Sequence, residues 1–292
     1  MKTSLPASLA TAFPKRPTDM HKYSAGVVTM IGGCARYPHA PVIAALGARA
    51  GGAGLVQLAV PDASRTAAGA LVPEATFAEL APGVTPPRTD VTALGMGLGD
   101  GPDSEALVAH VLSCAGRFVV DASALAVLAR LRAADALPSV EGCTLVLTPH
   151  VGEAARLLDC TADEIQSDRS SAVRRLVERY SAVVVLKGPH TLVASPDRAE
   201  VFECPAGNPF MALGGMGDLL AGTLAARWAY LSKSHPDPDA AFLAACGAVW
   251  LHSAASDALV AADPPGDPSI VNTAHAIASL RVALEKAKEN QQ

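Results

Sequence analysis

An α/β fold with a mostly parallel central sheet, covered by helices on both faces, is what this sequence predicts. Three observations predict it. Short β-rich runs alternate with Ala- and Leu-rich helical runs, the pattern that right-handed strand–helix–strand crossovers produce. The apolar share is 50% but the aromatic share only 4%, so small side chains build the core and helices can lie close on a sheet. The 24 Gly and 22 Pro fall mainly between the runs, where loops need them.

Taken in order, 26–31 (GVVTMI) reads as a strand closing on Gly32-Gly33, and 40–49 as a helix stopped at Gly51-Gly52. A second strand follows at 55–60. Residues 91–94 form a short strand ending in Gly95-Met96-Gly97-Leu98-Gly99, with a helix over 104–114. Strand 118–120 ends in Asp121 and leads to a helix over 125–132. Strand 144–147 ends in Thr148-Pro149-His150, followed by helices over 152–158 and 168–180. The β-branched strand 182–186 ends in Lys187-Gly188, and 192–194 and 201–203 make a hairpin around Pro196-Asp197. Long helices start near Gly217, Pro238 and Thr273. The Pro-rich stretches 82–87 and 263–267 are loops that separate no second core. No repeat of solenoid period is present.

Composition excludes several classes. A chain of 292 residues with 17% charged residues buries a large core and is not intrinsically disordered. A net charge of −5 argues against a general nucleic-acid binder, which carries a basic face. The six cysteines (Cys34, Cys114, Cys143, Cys160, Cys204, Cys246) show no zinc-site spacing and suit a reducing cytosol. The N-terminal residues are broken by Pro6 and Pro14 and read as a flexible tail rather than a signal peptide. The apolar run 240–251 is too short to span a bilayer and reads as a buried helix.

In open parallel sheets, ligands bind beyond the carboxyl ends of the strands. Those ends here carry Gly32-Gly33, Gly95-Met96-Gly97, Asp121, Thr148-Pro149-His150 and Lys187-Gly188, a single rim suited to a large anionic ligand. The strongest local signal is Asn208-Pro209-Phe210-Met211-Ala212-Leu213-Gly214-Gly215-Met216-Gly217-Asp218. Its glycines let the backbone approach a ligand closely, and the helix that follows offers unpaired amides to an anion. Asp218 in that first turn has two readings. It could merely stabilise the helix dipole, or it could act as a base beside a phosphate cradle. Only the second needs the preceding glycines. No Walker A pattern occurs, and no Gly-x-Gly-x-x-Gly follows the first strand.

These segments, with Ala40-Pro41, Val120-Asp121-Ala122-Ser123, Thr148-Pro149-His150-Val151-Gly152-Glu153 and Val185-Leu186-Lys187-Gly188-Pro189-His190-Thr191, resemble the ADP/ATP-dependent NAD(P)H-hydrate dehydratase family of the ribokinase-like superfamily. The resemblance runs from His21-Lys22 to about Asp257. It implies a ribokinase-like three-layer α/β/α sandwich over 21–292 as a single domain, preceded by the tail 1–20. It also implies repair of hydrated NADH or NADPH, by phosphorylation of the ring hydroxyl and elimination of phosphate. By position, Asp218 would be the base and also contact substrate, and Gly215, Met216 and Gly217 would form an anion hole. Lys187, Gly188, Pro189, His190, Thr191, Asn208 and Gly217 would bind nucleotide, and Ala40, Gly97 and His150 the hydrated dinucleotide. Mg2+ would accompany ADP or ATP as co-substrate, held by phosphate and water rather than by a protein metal motif. A homo-oligomer, a cytoplasmic location and a separate NAD(P)H-hydrate epimerase in the same pathway are further implications. The chain departs from the family pattern at Phe210, Met216 and Ser123, and at Tyr23-Ser24. Two alternatives share the same base and cradle: a ribokinase-like kinase of a small vitamin-precursor or sugar-like alcohol, and a non-catalytic nucleotide-binding paralogue.

Overall fold

Among the described residues, nine strands hydrogen-bond into one sheet: β1 (Val27–Ile31), β2 (Leu55–Ala59), β3 (Thr76–Ala78), β4 (Val91–Leu94), β5 (Gly116–Val120), β6 (Cys143–Leu147), β7 (Val183–Leu186), β8 (Leu192–Ala194) and β9 (Phe202–Glu203). Their order is β3-β2-β1-β4-β5-β6-β7-β8-β9. Every pair from β3 to β7 is parallel, and β7-β8-β9 close the edge as an antiparallel meander. This computed structural model describes residues 4–79, 88–137 and 142–286. The expected loop 82–87 lies outside them.

Among the described residues, ten α-helices flank the sheet: α1 (Ala40–Gly51), α2 (Asp62–Leu71), α3 (Pro102–Ser113), α4 (Ser123–Ala133), α5 (Val151–Leu158), α6 (Ala162–Ser167), α7 (Arg169–Tyr180), α8 (Met216–Leu231), α9 (Asp239–Val260) and α10 (Ile270–Lys286). The strands are buried on both faces because successive side chains alternate between two cores. Val119, Val146, Val183 and Val185 enter the core under α1, α8, α9 and α10. Val120, Leu145, Leu147, Val184 and Leu186 enter the core under α3, α4, α5 and α7. The predicted layering is therefore the observed one, an α/β/α sandwich of three layers.

Three elements carry little signal in the sequence. β3 is a three-residue edge strand, α6 a single capped turn and a half, and α2 a mixture of Ala with polar residues. Two expectations are corrected. The N-terminal segment is no loose tail over its described part: a 3-10 turn at Ala7–Ala12 buries Leu9, Ala12 and Phe13. Phe13 meets Trp250 of α9 edge-on, with centroids 6.0 Å apart. The reason is tertiary: besides this contact with α9, the buried Arg227 of α8 donates to Ala12 O at 2.6 Å. The apolar run 240–251 lies within the 22-residue α9, long and apolar enough by length and composition to cross a membrane. Its residues Ala240 to Ser256 are almost all buried against neighbouring elements, so it is a core helix as expected.

Small residues decide the contact between α1 and α8. A Cβ on Gly222 would overlap the carbonyl oxygen of Ala44, and one on Gly47 the carbonyl oxygen of Leu219. The helix backbones therefore touch, which sets α8, and its first turn, against the sheet. Gly222→Ala must push the two helices apart, and a loss of about 1–3 kcal/mol or more is expected. A chemical-denaturation midpoint equal to that of the parent chain would contradict this.

Candidate active site

The carboxyl ends of β1, β4, β5, β6 and β7 are laced together by backbone. Gly95 donates to Ile31 O (2.9 Å), Asp121 to Leu94 O (3.0 Å), Thr148 to Val120 O (3.1 Å) and Lys187 to Pro149 O (2.8 Å). These bonds carry the sheet's register past the strands and hold the rim in a line.

Over that rim sits the first turn of α8. Gly215, its N-cap, has φ +94°, a conformation that favours glycine. A Cβ there would come within 2.9 Å of Ile43 Cδ1 on α1 and 3.3 Å of Ile270 Cδ1 on α10. Met216 N–H donates to Leu213 O at 3.3 Å. No backbone carbonyl among the described residues accepts the amides of Gly215, Gly217 or Asp218. The anion hole expected at Gly215, Met216 and Gly217 is thus best provided at Gly215 and Gly217, with Asp218 N–H beside them, since the Met216 amide already has a partner.

Asp218 and Lys187 are gathered around this turn. Lys187 Nζ donates to Asp121 Oδ1 at 2.7 Å and lies 3.8 Å from Glu153 Oε2. A Cβ on Gly217 would lie 3.4 Å from Lys187 Nζ and 3.8 Å from Asp121 Oδ2, so the missing side chain makes room for this pair. Burial would pull the Lys187 ammonium down, but Asp121, Glu153 and Asp218 together hold it above its ordinary value, and it remains charged. Burial, with the charge of Asp121, pushes the Asp218 carboxyl up to about 7 despite the opposing pull of Lys187. A carboxylate poised there suits proton abstraction near neutral pH.

His150 caps α5 through its side chain. Nδ1 accepts from the amides of Gly152 (3.0 Å) and Glu153 (3.4 Å), while Glu153 Oε2 accepts from His150 N–H (2.8 Å). That acceptor role leaves the ring proton on Nε2, 3.5 Å from Glu153 Oε1, with the side chain still 57% exposed for a ligand. Ala40 and Gly97 also come together: Gly97 has φ +68°, and a Cβ on it would stand 2.9 Å from Ala40 Cβ and 2.7 Å from Tyr37 O.

The turn at 188–191 follows β7. Thr191 Oγ1 donates to Gly188 O at 2.9 Å, and Arg169 at the start of α7 donates to Leu186 O (3.1 Å) and to Pro189 O. His190 points to Glu203 on β9 (3.2 Å) rather than across to the cradle. A groove of about 320 Å³ lined by Arg169, Ser170, His190, Leu192, Val201 and Glu203 opens beside this turn. Asn208 is anchored to α9, donating to Asp257 Oδ1 (2.8 Å) and Ser256 Oγ (3.1 Å) while accepting from Phe210 N–H (3.1 Å). Phe210 beyond it is 64% exposed.

The structure thus sets Lys187 beside Gly217 and within electrostatic reach of Asp218, joins Ala40 to Gly97, and links His150 to Lys187 through Glu153. Arg169 was not foreseen, and nothing in its local sequence marks it. Asp121 stood out only as a polar strand end, and Glu153 only as a first-turn acid. All six cysteines are free.

A glycine-rich helix N-terminus and a half-buried carboxylate lie at the carboxyl rim of a three-layer α/β/α fold. The same fold occurs in a ribokinase-like superfamily protein of Enterococcus faecalis (TM-score 0.79, 24% identity, 96% of this chain and 95% of that one). More narrowly, the chain belongs to the NAD(P)H-hydrate dehydratase family, whose model matches residues 28–274. It is 38% identical over 253 residues to the ADP-dependent (S)-NAD(P)H-hydrate dehydratase of Neisseria meningitidis, covering 85% of this chain and 81% of that one. It is 38% identical over 273 residues to the bifunctional NAD(P)H-hydrate repair enzyme of Gloeobacter violaceus; the match takes in 88% of this chain but only 50% of that protein's length. Among solved structures it resembles the ADP/ATP-dependent NAD(P)H-hydrate dehydratase of Bacillus subtilis co-crystallised with ATP/Mg2+ (TM-score 0.81, 26% identity, 94% of this chain and 96% of that one).

Proposed function

We propose that this chain dehydrates hydrated NADH or NADPH at the expense of ADP or ATP, as a carbon–oxygen lyase. One observation carries the proposal: a half-buried carboxylate, Asp218, shares the first turn of α8 with glycine amides that no backbone carbonyl among the described residues accepts. Hydroxide is a poor leaving group and phosphate a good one. Asp218 takes the proton from the ring hydroxyl, and the oxygen attacks the terminal phosphoryl group of the nucleotide. The P–O bond to the nucleotide breaks, giving AMP from ADP or ADP from ATP. The ring C–O bond then breaks with loss of the neighbouring ring proton, restoring the double bond and releasing phosphate. The amides at Gly215 and Gly217 stabilise charge on the transferring group.

In this reading Lys187, Gly188, Pro189, His190, Thr191 and Asn208 belong to the nucleotide side, and Ala40, Gly97 and His150 to the dinucleotide side. Arg169 braces the 188–191 turn from behind. The described residues contain no group of three or more metal-ligating side chains, and Lys187 occupies the space between Asp121 and Glu153. That donor set fits a Mg2+ that arrives on the phosphate oxygens and neutralises them, with water completing its shell. The two cores share one sheet, which supports taking 21–292 as one domain. A cytoplasmic location, a homo-oligomeric state and an NAD(P)H-hydrate epimerase as pathway partner complete the proposal.

The test is direct. Hydrated NADH incubated with the protein, Mg2+ and ADP or ATP should regain the absorbance of the reduced nicotinamide, and a flat trace with both nucleotides would sink the proposal. The same assay has a pH signature. The base works only as carboxylate, so kcat/KM should climb about tenfold per pH unit below 7 and level off above it. A profile flat from pH 5.5 to 8.5 would contradict Asp218 as that base.

A further inference from the structure

The Lys187 ammonium is turned inward. Its side chain is only 18% exposed, and it is held by Asp121 at 2.7 Å with Glu153 at 3.8 Å, beneath Gly217 and next to Asp218. Asp121 itself is 2% exposed. The residue after it, Ala122, has φ 51° and ψ −123°, a backbone conformation costly for a residue with a Cβ and one that tends to cluster at functional sites. A buried aspartate on a strained strand end, bonded to a partly buried lysine, is expensive to build for packing alone.

We propose that Asp121 is a positioning residue of the active site: with Glu153 it holds Lys187 under the first turn of α8, and this trio sets the charge balance in which Asp218 takes and releases the hydroxyl proton. The inference rests on the reaction proposed above and adds to it the groups that tune its base. The charged groups around Asp218 are Asp121 from the end of β5, Glu153 from α5 and Lys187 from the end of β7. Beside Gly215, α1 and α10 present the apolar Ile43 and Ile270. On α9, His252 is buried, and burial pulls its pKa to about 4, so it is neutral; Asp257 is committed to Asn208 and the Gly207 amide. The two carboxylates raise the Asp218 carboxyl and Lys187 lowers it. Removing a carboxylate must therefore move the titration to lower pH, and removing the ammonium must move it to higher pH.

Asp121→Asn, Glu153→Gln and Lys187→Met test this through the pH profile of kcat/KM for hydrated NADH, paired with a carboxyl carbon NMR titration of Asp218 identified by its loss in Asp218→Asn. Asp121→Asn should shift the acidic limb and the NMR midpoint down by about one pH unit. Glu153→Gln should move them in the same direction, and Lys187→Met upward. A purely structural role would lower kcat or the melting temperature and leave both midpoints in place. Midpoints unmoved in Asp121→Asn and Lys187→Met would overturn the proposal; if Asp121→Asn does not fold, Glu153→Gln and Lys187→Met decide. If the wild-type chain has no turnover, the proposed reaction fails, while the NMR titration still reads the charge balance independently.

Discussion

Asp218→Asn is expected to lower turnover of hydrated NADH by about 10²–10⁴-fold while nucleotide affinity stays within a few-fold of the parent or tightens. The amide matches the carboxylate in shape but cannot accept the hydroxyl proton. It also removes a negative charge beside the site where phosphate would lie, so binding has no reason to weaken. Both quantities must be measured, turnover by nicotinamide absorbance and affinity by calorimetry with ATP and Mg2+. A variant that keeps more than a tenth of the parent kcat would remove Asp218 from the base role. Stability should move the other way. The native state raises the Asp218 carboxyl from its ordinary value of 3.8 to about 7, so the ionised form is disfavoured in the fold. The resulting native-state penalty is absent below pH 3.8, grows as pH rises, and is complete above about 7. Asp218→Asn should therefore melt higher than the parent at pH 8, and the gap should close toward pH 4. A base maintained at the cost of stability is the behaviour expected of a functional carboxylate.

The second large effect lies far from the rim. Glu285 near the end of α10 is buried and accepts from Arg227 Nη1 (2.5 Å) and Arg281 Nη1 (2.6 Å), with Arg16 Nε at 3.1 Å. Arg227 is fully buried on α8; it also donates to Ala12 O at 2.6 Å and lies 5.0 Å from the Phe13 ring centroid. Arg281 donates to Ala50 O (3.0 Å) and Arg16 to Gly52 O (2.5 Å) at the end of α1. One carboxylate thus ties three arginines, and through them the N-terminal segment, α1, α8 and α10. Burial pulls the Arg227 guanidinium down, and Glu285 is the main group opposing that. Glu285→Ala would leave a fully buried cation unpaired, and a loss of about 3–5 kcal/mol is expected. Glu105→Ala, which removes a half-exposed partner of Arg130, is the control and should cost no more than about 1 kcal/mol. Denaturant midpoints with unchanged slopes would read both. Equal effects from the two variants would show that the buried cluster carries no special weight. Limited proteolysis of Glu285→Ala should also release the segment around Phe13, which the cluster pins.

Much of this was legible in the sequence. The β-branched run at 182–186 and the glycine punctuation after each strand gave the parallel sheet, because a strand buried on both faces must be apolar throughout. Gly214 to Asp218 marked the cradle, because its three glycines have no use in an ordinary helix start. The remainder depended on distances along the chain that no local pattern spans. Asp121 and Lys187 are 66 residues apart and meet only because β5, β6 and β7 end side by side. Arg227 and Ala12 are 215 residues apart and meet only because the N-terminal segment packs against α8 and α9. The Ala- and Gly-rich composition likewise announced close packing without saying where, and Gly47 and Gly222 show that the place is the α1–α8 contact.

The sequence by itself determined the layer architecture and singled out the rim and the turn from Gly214 to Asp218 as the candidate site, since each follows from periodicity or from what a backbone can do over a few residues. Tertiary structure alone decided that Lys187 turns inward to Asp121, that the Met216 amide is taken by Leu213, and that Leu9, Ala12 and Phe13 are packed rather than loose. Those outcomes depend on burial, which raises the energy of an unpaired charge or an unfilled seam until some distant residue satisfies it.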